Sequence, residues 1–324
     1  AILLFLIPSL FVATGGVLKE PFVIFGIGLF LFAFSIENRR KSRFSFLVLA
    51  LFFLIFIKPY ILIALLIAGL FILFSKYIYT NKPYSIFLFF VLFSFFIFLT
   101  IKPIRENTLA YVSRKQLDME RIAEGGVYVF DNGQNPRILH FKIEELGNLE
   151  IKNDSMQIIK PIIAGKSTMD LWEDLQIIEI QPGPEKWRVY AHIPLKANSY
   201  FHTTPIRNSL PTFIKTIPEA FINGLLRPFP SDLKSLYTYP AMLEVYFCIG
   251  IFVFALFNRR KISFFEKRII GGLIIFSVLL LILIGFTTPV VGALVRYRIP
   301  AFIAILIISF IFLKIPEKWK NRIQ

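Results

Sequence analysis

The chain has 324 residues, enough for about two soluble domains, yet 56% of them are hydrophobic, 18% are charged and 38 are Phe. Soluble domains carry about 25% charged residues, so this composition, with its apolar residues gathered in runs, excludes a soluble globular protein and marks a polytopic membrane protein. The net charge of +15 fits nucleic acid, an anionic membrane surface or an anionic substrate, and its distribution along the chain decides among them.

A helix needs about 20 apolar residues to cross a bilayer core of roughly 30 Å. Eight segments answer to this, at roughly 1–14, 21–36, 44–58, 60–75, 84–101, 240–257, 269–287 and 299–314. The first starts inside an apolar run and reads as the end of a longer helix. Residues 44–75 are interrupted only by Lys58-Pro59-Tyr60. One helix through them would be about 48 Å long at 1.5 Å per residue, well past the core thickness. Two helices fit better, with Pro59 opening the second and Lys58 and Tyr60 as interfacial anchors.

Charge supports that choice. With a break at Lys58, one side of the membrane collects Arg39, Arg40, Lys41 and Arg43, then Lys76 and Lys82, then the basic residues of 259–268 and 314–322, against Glu37, Glu266 and Glu317. A single long span would split these clusters. The positive-inside rule therefore puts them and the C-terminus in the cytoplasm. It leaves the long connection between spans five and six outside. Most of the basic excess is thus an orientation signal, and nucleic acid is not an expected partner.

Residues 102–236 hold 17 Lys or Arg against 16 Asp or Glu. The stretch 106–124 reads as a helix ended by Gly125-Gly126. VYVFD and ILHFKI flank the turn Asp131-Asn132-Gly133 and read as a hairpin. Segments 175–181 and 187–195 flank Pro182-Gly183-Pro184 and read as a second hairpin. Residues 209–226 have helical apolar spacing broken by Pro211 and Pro218. They read as one or two amphipathic helices, lying along the outer interface or packing the domain onto the membrane. The expected architecture is an α-helical polytopic membrane protein of about eight transmembrane helices, with one α/β extracytoplasmic domain between helices five and six. Its parts are 1–101 (about five helices, the first truncated), 102–236 and 237–324 (three helices).

No phosphate-binding loop or dinucleotide fingerprint occurs. His140, His192 and His202 lack ligand spacing and Cys248 stands alone in the sixth span, so neither a metal, a cofactor nor an intrachain disulfide is expected. Chemistry is expected instead from polar groups at the outer ends of the spans, where burial makes them costly. Thr14-Gly15-Gly16 with Lys19 and Glu20 forms one cluster. It reads as a phosphate-facing loop with a carboxylate base, or as an interhelical turn with a snorkelling ion pair. Arg296-Tyr297-Arg298 forms another, suited to bidentate phosphate contacts or to interfacial anchoring. A third contains His202 as a base near neutral pH, with Arg207 and Arg227 to neutralise phosphate, or a merely solvated histidine. Among the short outer segments Lys19, Lys58, Arg296 and Arg298 face only Glu20 and Glu244.

The segments IPSLFVATGGVLKEP, IPEAFINGLLRPFP and GALVRYRIP resemble three short blocks of polytopic proteins from bacterial surface-polysaccharide clusters, the O-antigen-polymerase-like or C-type-glycosyltransferase-like membrane proteins. The resemblance implies glycan assembly at the outer face of the cytoplasmic membrane from a polyprenyl-phosphate- or pyrophosphate-linked sugar. It points to Lys19, Glu20, Arg227, Arg296 and Arg298. The expected function is therefore a membrane glycosyltransferase or polymerase, with Glu20 or His202 as base. Competing readings are a transporter or flippase of a lipid-linked glycan, and a non-enzymatic subunit whose outer domain binds partners in an envelope complex. Expected partners are the lipid-linked sugar and membrane lipids.

Overall fold

A computed structural model describes residues 19–35, 40–77, 83–125, 127–131, 137–141, 143–152, 155–168, 176–183, 187–192, 197–206, 209–233 and 238–314. The expected first span and Thr14-Gly15-Gly16 lie outside them, as does Arg207.

The described chain is mostly helical and forms two compact units, 1–100 with 219–285 and 292–324, and 101–218 with 286–291. The first contains α1 (Glu20–Ser35), α2 (Arg40–Ile57), α3 (Pro59–Tyr77) and α4 (Pro83–Thr100). It also contains most of α7 (Thr238–Phe257), α8 (Phe264–Thr287) and α10 (Ile299–Phe312), with α9 (Val291–Tyr297) before the last. Among the described residues α7 and α8 are long and apolar enough to cross a membrane. The pair α9–α10, bent by 49° at Arg298, makes a third such stretch, and shorter apolar helices cover Glu20–Ala33, Phe44–Ile57, Pro59–Ser75 and Val91–Thr100.

The break between α2 and α3 falls at Lys58, with Pro59 opening α3. The missing N–H of Pro59 costs nothing at a first helical position. Glycines set how closely the helices approach. A Cβ on Gly271 or Gly272 of α8 would meet the side chains of Phe71 and Ile72 on α3. Gly26 of α1 lies against Leu54 of α2. Outward faces carry Phe, Leu and Ile, as at Phe52, Phe56, Leu243 and Phe254, the surface expected of a bundle solvated by lipid chains.

Helix α6 (Leu210–Leu226) is one continuous helix rather than two. Pro211 sits in its first turn, where a proline is tolerated, and Pro218 lies on its exposed side. Its C-terminal half packs on α8, Ala220 against Gly285 and Gly224 against Leu281. Small residues four apart let the two backbones touch.

The second unit joins α5 (Lys102–Glu124) to a seven-stranded antiparallel sheet. Its strands are β1 (Val127–Asp131), β2 (Arg137–Phe141), β3 (Leu149–Lys152), β4 (Ser155–Ile158), β5 (Ile162–Thr168), β6 (Gln176–Ile180) and β7 (Trp187–His192), in the order β3-β4-β7-β1-β2-β5-β6. The first expected hairpin is present, Val127 opposite Phe141 and Asp131 opposite Arg137. The second is not. β6 pairs with β5, whereas β7 lies between β4 and β1. Local Pro-Gly-Pro chemistry signals a turn but does not choose the partner, which long-range pairing decides. In α5, Leu109, Val112, Gln116 and Ala123 share a buried face at helical spacing. Gly125 ends the helix at φ 75°, a region glycine enters without steric cost.

Candidate functional site

Glu20 opens α1, Lys58 separates α2 from α3, and Arg296 closes α9. These positions are distant in sequence and meet in the first unit because α1 and α2 run antiparallel. Lys58 Nζ donates to Glu20 Oε1 at 3.1 Å, with both side chains about nine-tenths buried. Arg296 Nε lies 3.3 Å from the same oxygen, off the hydrogen-bonding direction, so this buried N–H has no hydrogen-bond acceptor among the described residues. Tyr297 packs beneath both cations: Lys58 Nζ lies 4.2 Å from its ring centre and the Arg296 guanidinium 5.1 Å. Its hydroxyl also accepts from Arg296 Nη2 at 3.4 Å.

Glu20, Lys58 and Arg296 line a small pocket with Val23, Ile24, Ile299 and Pro300 as apolar walls, about 190 Å³ of empty space with its open mouth included. Lys19 is exposed beside Glu20 and acts electrostatically on Lys58. Two cations and one carboxylate meet there against apolar walls with one positive charge in excess; Lys58 and Glu20 are little screened by water, whereas the Arg296 side chain is 38% exposed. Lys58, read from sequence as an anchor, is the principal partner of Glu20. A sequence signal for it existed: a lone acid at membrane depth needs a cation, and Lys58 is the one placed at the same end by the alternation of spans.

Arg298 has a different setting. It is 1% exposed, at the bend between α9 and α10. Its Nη1 donates to the Arg227 carbonyl and its guanidinium lies 4.8 Å from the Phe302 ring centre. Its Nε and Nη2 have no hydrogen-bond acceptor among the described residues. Glu244 of α7, buried and within electrostatic reach, offsets part of its charge. Adjacent arginines thus face different partners, Arg296 the pocket and Arg298 the interior.

Arg227 follows α6 and is bound into its own loop. Nε donates to Asn223 Oδ1 at 2.9 Å and Nη1 to Asp232 Oδ1 at 2.7 Å, while Asp232 Oδ2 accepts from the Phe229 N–H at 2.9 Å. Burial lowers the pKa of Arg227 from its ordinary value, and Asp232 and Glu219 act against that. Its guanidinium serves this loop in the structure, and its carbonyl serves Arg298.

His202 belongs to the second unit. It is exposed, with Nδ1 2.9 Å from the Tyr200 hydroxyl. The segment around it is held by Gln116, whose Nε2 donates to Thr203 Oγ1 at 3.2 Å and to the Thr204 carbonyl at 2.9 Å, and whose Oε1 accepts from the Ile206 N–H at 3.0 Å. The structure therefore assembles Glu20, Lys58 and Arg296 around one pocket, with Tyr297 packed against the two cations. It places Arg227 and Arg298 together at a second locus in the same unit.

Comparison with protein-family models, with curated proteins and with solved structures finds no match to this chain.

Proposed function

We propose that the chain is a membrane glycosyltransferase or polymerase that takes polyprenyl-phosphate- or pyrophosphate-linked sugars at the outer face of a bacterial cytoplasmic membrane during surface-polysaccharide assembly. In this reading it crosses the membrane eight times, its C-terminus is cytoplasmic, and residues 102–236 form an α/β extracytoplasmic domain. The observation that carries the proposal is the convergence of Lys58 and Arg296 on Glu20 in a small apolar-walled pocket. This pocket lies at the ends of α1 and α2 away from the basic segment Arg40-Lys41-Ser42-Arg43 that opens α2.

The chemistry follows from that inventory. The acceptor hydroxyl oxygen attacks the anomeric carbon of the donor sugar as the bond from that carbon to the phosphate oxygen breaks. The hydroxyl proton passes to Glu20, and the phosphate leaves as an anion against Arg296, Lys58 and the exposed Lys19. A positioned base and fixed cations at the leaving group each lower the barrier. Arg298 and Arg227 support this site by fixing the bend before α10.

A second reading is favoured by one observation. The α9–α10 stretch is bent at a fully buried arginine, and broken spans with charge at the break are a feature of transporters. A flippase would carry the lipid-linked glycan across without transferring sugar.

Cells whose only copy carries Arg296→Ala or Glu20→Ala separate the two. Sugar transfer predicts shortened surface polysaccharide with lipid-linked intermediates accumulating on the outer leaflet. Inner-leaflet accumulation supports the flippase, and normal polysaccharide in both strains removes these residues from function.

A further inference from the structure

The position an incoming anion would take in the pocket is already held by an anion of the protein. Lys58 Nζ and Arg296 Nε converge on the single oxygen Glu20 Oε1, at 3.1 and 3.3 Å. The same three side chains line the pocket, and its other walls are apolar. A phosphoryl group seeking these cations must therefore compete with the Glu20 carboxylate. We propose that Glu20 is a resident competitor: a phosphoryl anion entering between Lys58 and Arg296 displaces the carboxylate, and that displacement frees it to face the acceptor hydroxyl. This rests on the reading of the pocket as a phosphate site and adds Lys58 to the residues that bind the ligand.

Three physical points support it. The carboxylate oxygen that faces both cations, Oε1, cannot at once be aimed at a hydroxyl, so in this arrangement that oxygen is unavailable as a base. An entering phosphoryl group carries at least the charge it replaces and has more acceptor oxygens, so it can engage the Arg296 Nε–H that now lacks a hydrogen bond. The clamp is also built to open. Glu20 sits at the first residue of α1 and Lys58 at a break between helices, so the carboxylate can move without unwinding a helix interior. The consequence is order: donor binds first, and Oε1 becomes available as a base only with the donor in place.

The competition has a measurable size. A site whose competent form is populated one-tenth of the time binds about ten-fold more weakly than its intrinsic affinity. Glu20→Gln removes the competing charge and keeps the shape. The test is calorimetric titration of the purified full chain in detergent with inorganic pyrophosphate and, separately, with farnesyl pyrophosphate. Glu20→Gln is expected to bind about ten-fold tighter than the unmodified chain while losing sugar transfer. Glu20→Asp, whose carboxylate is drawn back by one methylene, should fall between the two. Lys58→Met and Arg296→Met should each weaken binding at least ten-fold. Tightening seen with the farnesylated probe alone identifies a lipid head group as the anion, and tightening with both probes identifies the phosphoryl group itself. If Glu20→Gln and Glu20→Asp bind no tighter than the unmodified chain while Arg296→Met still loses binding, the competitor role is overturned and the phosphate site stands. If neither the unmodified chain nor Glu20→Gln binds either probe, the phosphate site falls and the competitor with it.

Discussion

Gly285→Ala tests the close packing of α6 on α8. A Cβ at this position would lie 2.6 Å from the Ala220 carbonyl carbon and 3.0 Å from its Cα, closer still to the carbonyl oxygen. Carbon atoms in ordinary contact sit about 3.5–4.0 Å apart, so α6 and α8 must separate by roughly 1 Å. The obstacle is backbone, which cannot rotate aside as a side chain can. Overpacking of this kind costs about 1–3 kcal/mol, and the clash with main chain places it at the upper end. Ala is the better helix former by about 1 kcal/mol, leaving a net loss near 2 kcal/mol. Gly250 of α7 is the control, because it is exposed and a Cβ there meets nothing within 4 Å among the described residues. Gly250→Ala should gain about 0.5–1 kcal/mol from helix propensity alone. Thermal unfolding of both variants in one detergent reads the difference, with Gly285→Ala melting below the unmodified chain and Gly250→Ala at or above it. A Gly285→Ala protein that melts as high as Gly250→Ala refutes the close approach of α6 and α8.

Two further substitutions probe the loops. Asp232→Ala removes the acceptor for Arg227 Nη1 and for the Phe229 N–H, a loss of about 2 kcal/mol for bonds to a charged group. Thermal unfolding should show it, and Arg227→Ala should cost less in the Asp232→Ala background than alone, since the ion pair with Asp232 is already gone and the bond to Asn223 remains. Gln116→Leu strands the buried Ile206 N–H, at about 1–3 kcal/mol for a buried orphan. Amide hydrogen exchange at Ile206 should accelerate by at least ten-fold, and unchanged exchange there would remove Gln116 as the support of that segment.

The sequence made the helix boundaries readable because they rest on short-range rules. The break at Lys58-Pro59 follows from a length limit and a proline, and the end of α5 at Gly125 from the conformational freedom of glycine. What it concealed depends on distant partners. Pro182-Gly183-Pro184 looks like a hairpin turn, yet β7 is claimed on both sides by β1 and β4. Helix α9, Val291–Tyr297, is short and follows Thr287-Thr288-Pro289, so it carries no periodicity long enough to be read. The small-residue spacing of Ala220 and Gly224 was visible, but its partner on α8 has no local signature.

The candidate site divides in the same way. Sequence places four cations and two acids among the short outer segments, as if all four cations were open to a ligand. The structure sorts them. Arg298 is spent inside the protein on the Arg227 carbonyl, with Glu244 offsetting its charge. Lys58 and Arg296 remain at the pocket and share Glu20, and Lys19 is exposed. Arg298 and Glu244 leave the count together, so the pocket itself, Lys58 and Arg296 against Glu20, carries one positive charge in excess with Lys19 beside it, and that excess grows when Glu20 is displaced. A pocket whose net charge rises as its own acid leaves discriminates by ligand charge: a singly charged anion merely replaces the carboxylate, whereas a pyrophosphate both replaces it and neutralises the cation left over. Binding through fixed cations also weakens with ionic strength, though less for buried charges than for exposed ones. Raising salt should thus erode the contributions of exposed Lys19 and part-exposed Arg296 before that of Lys58.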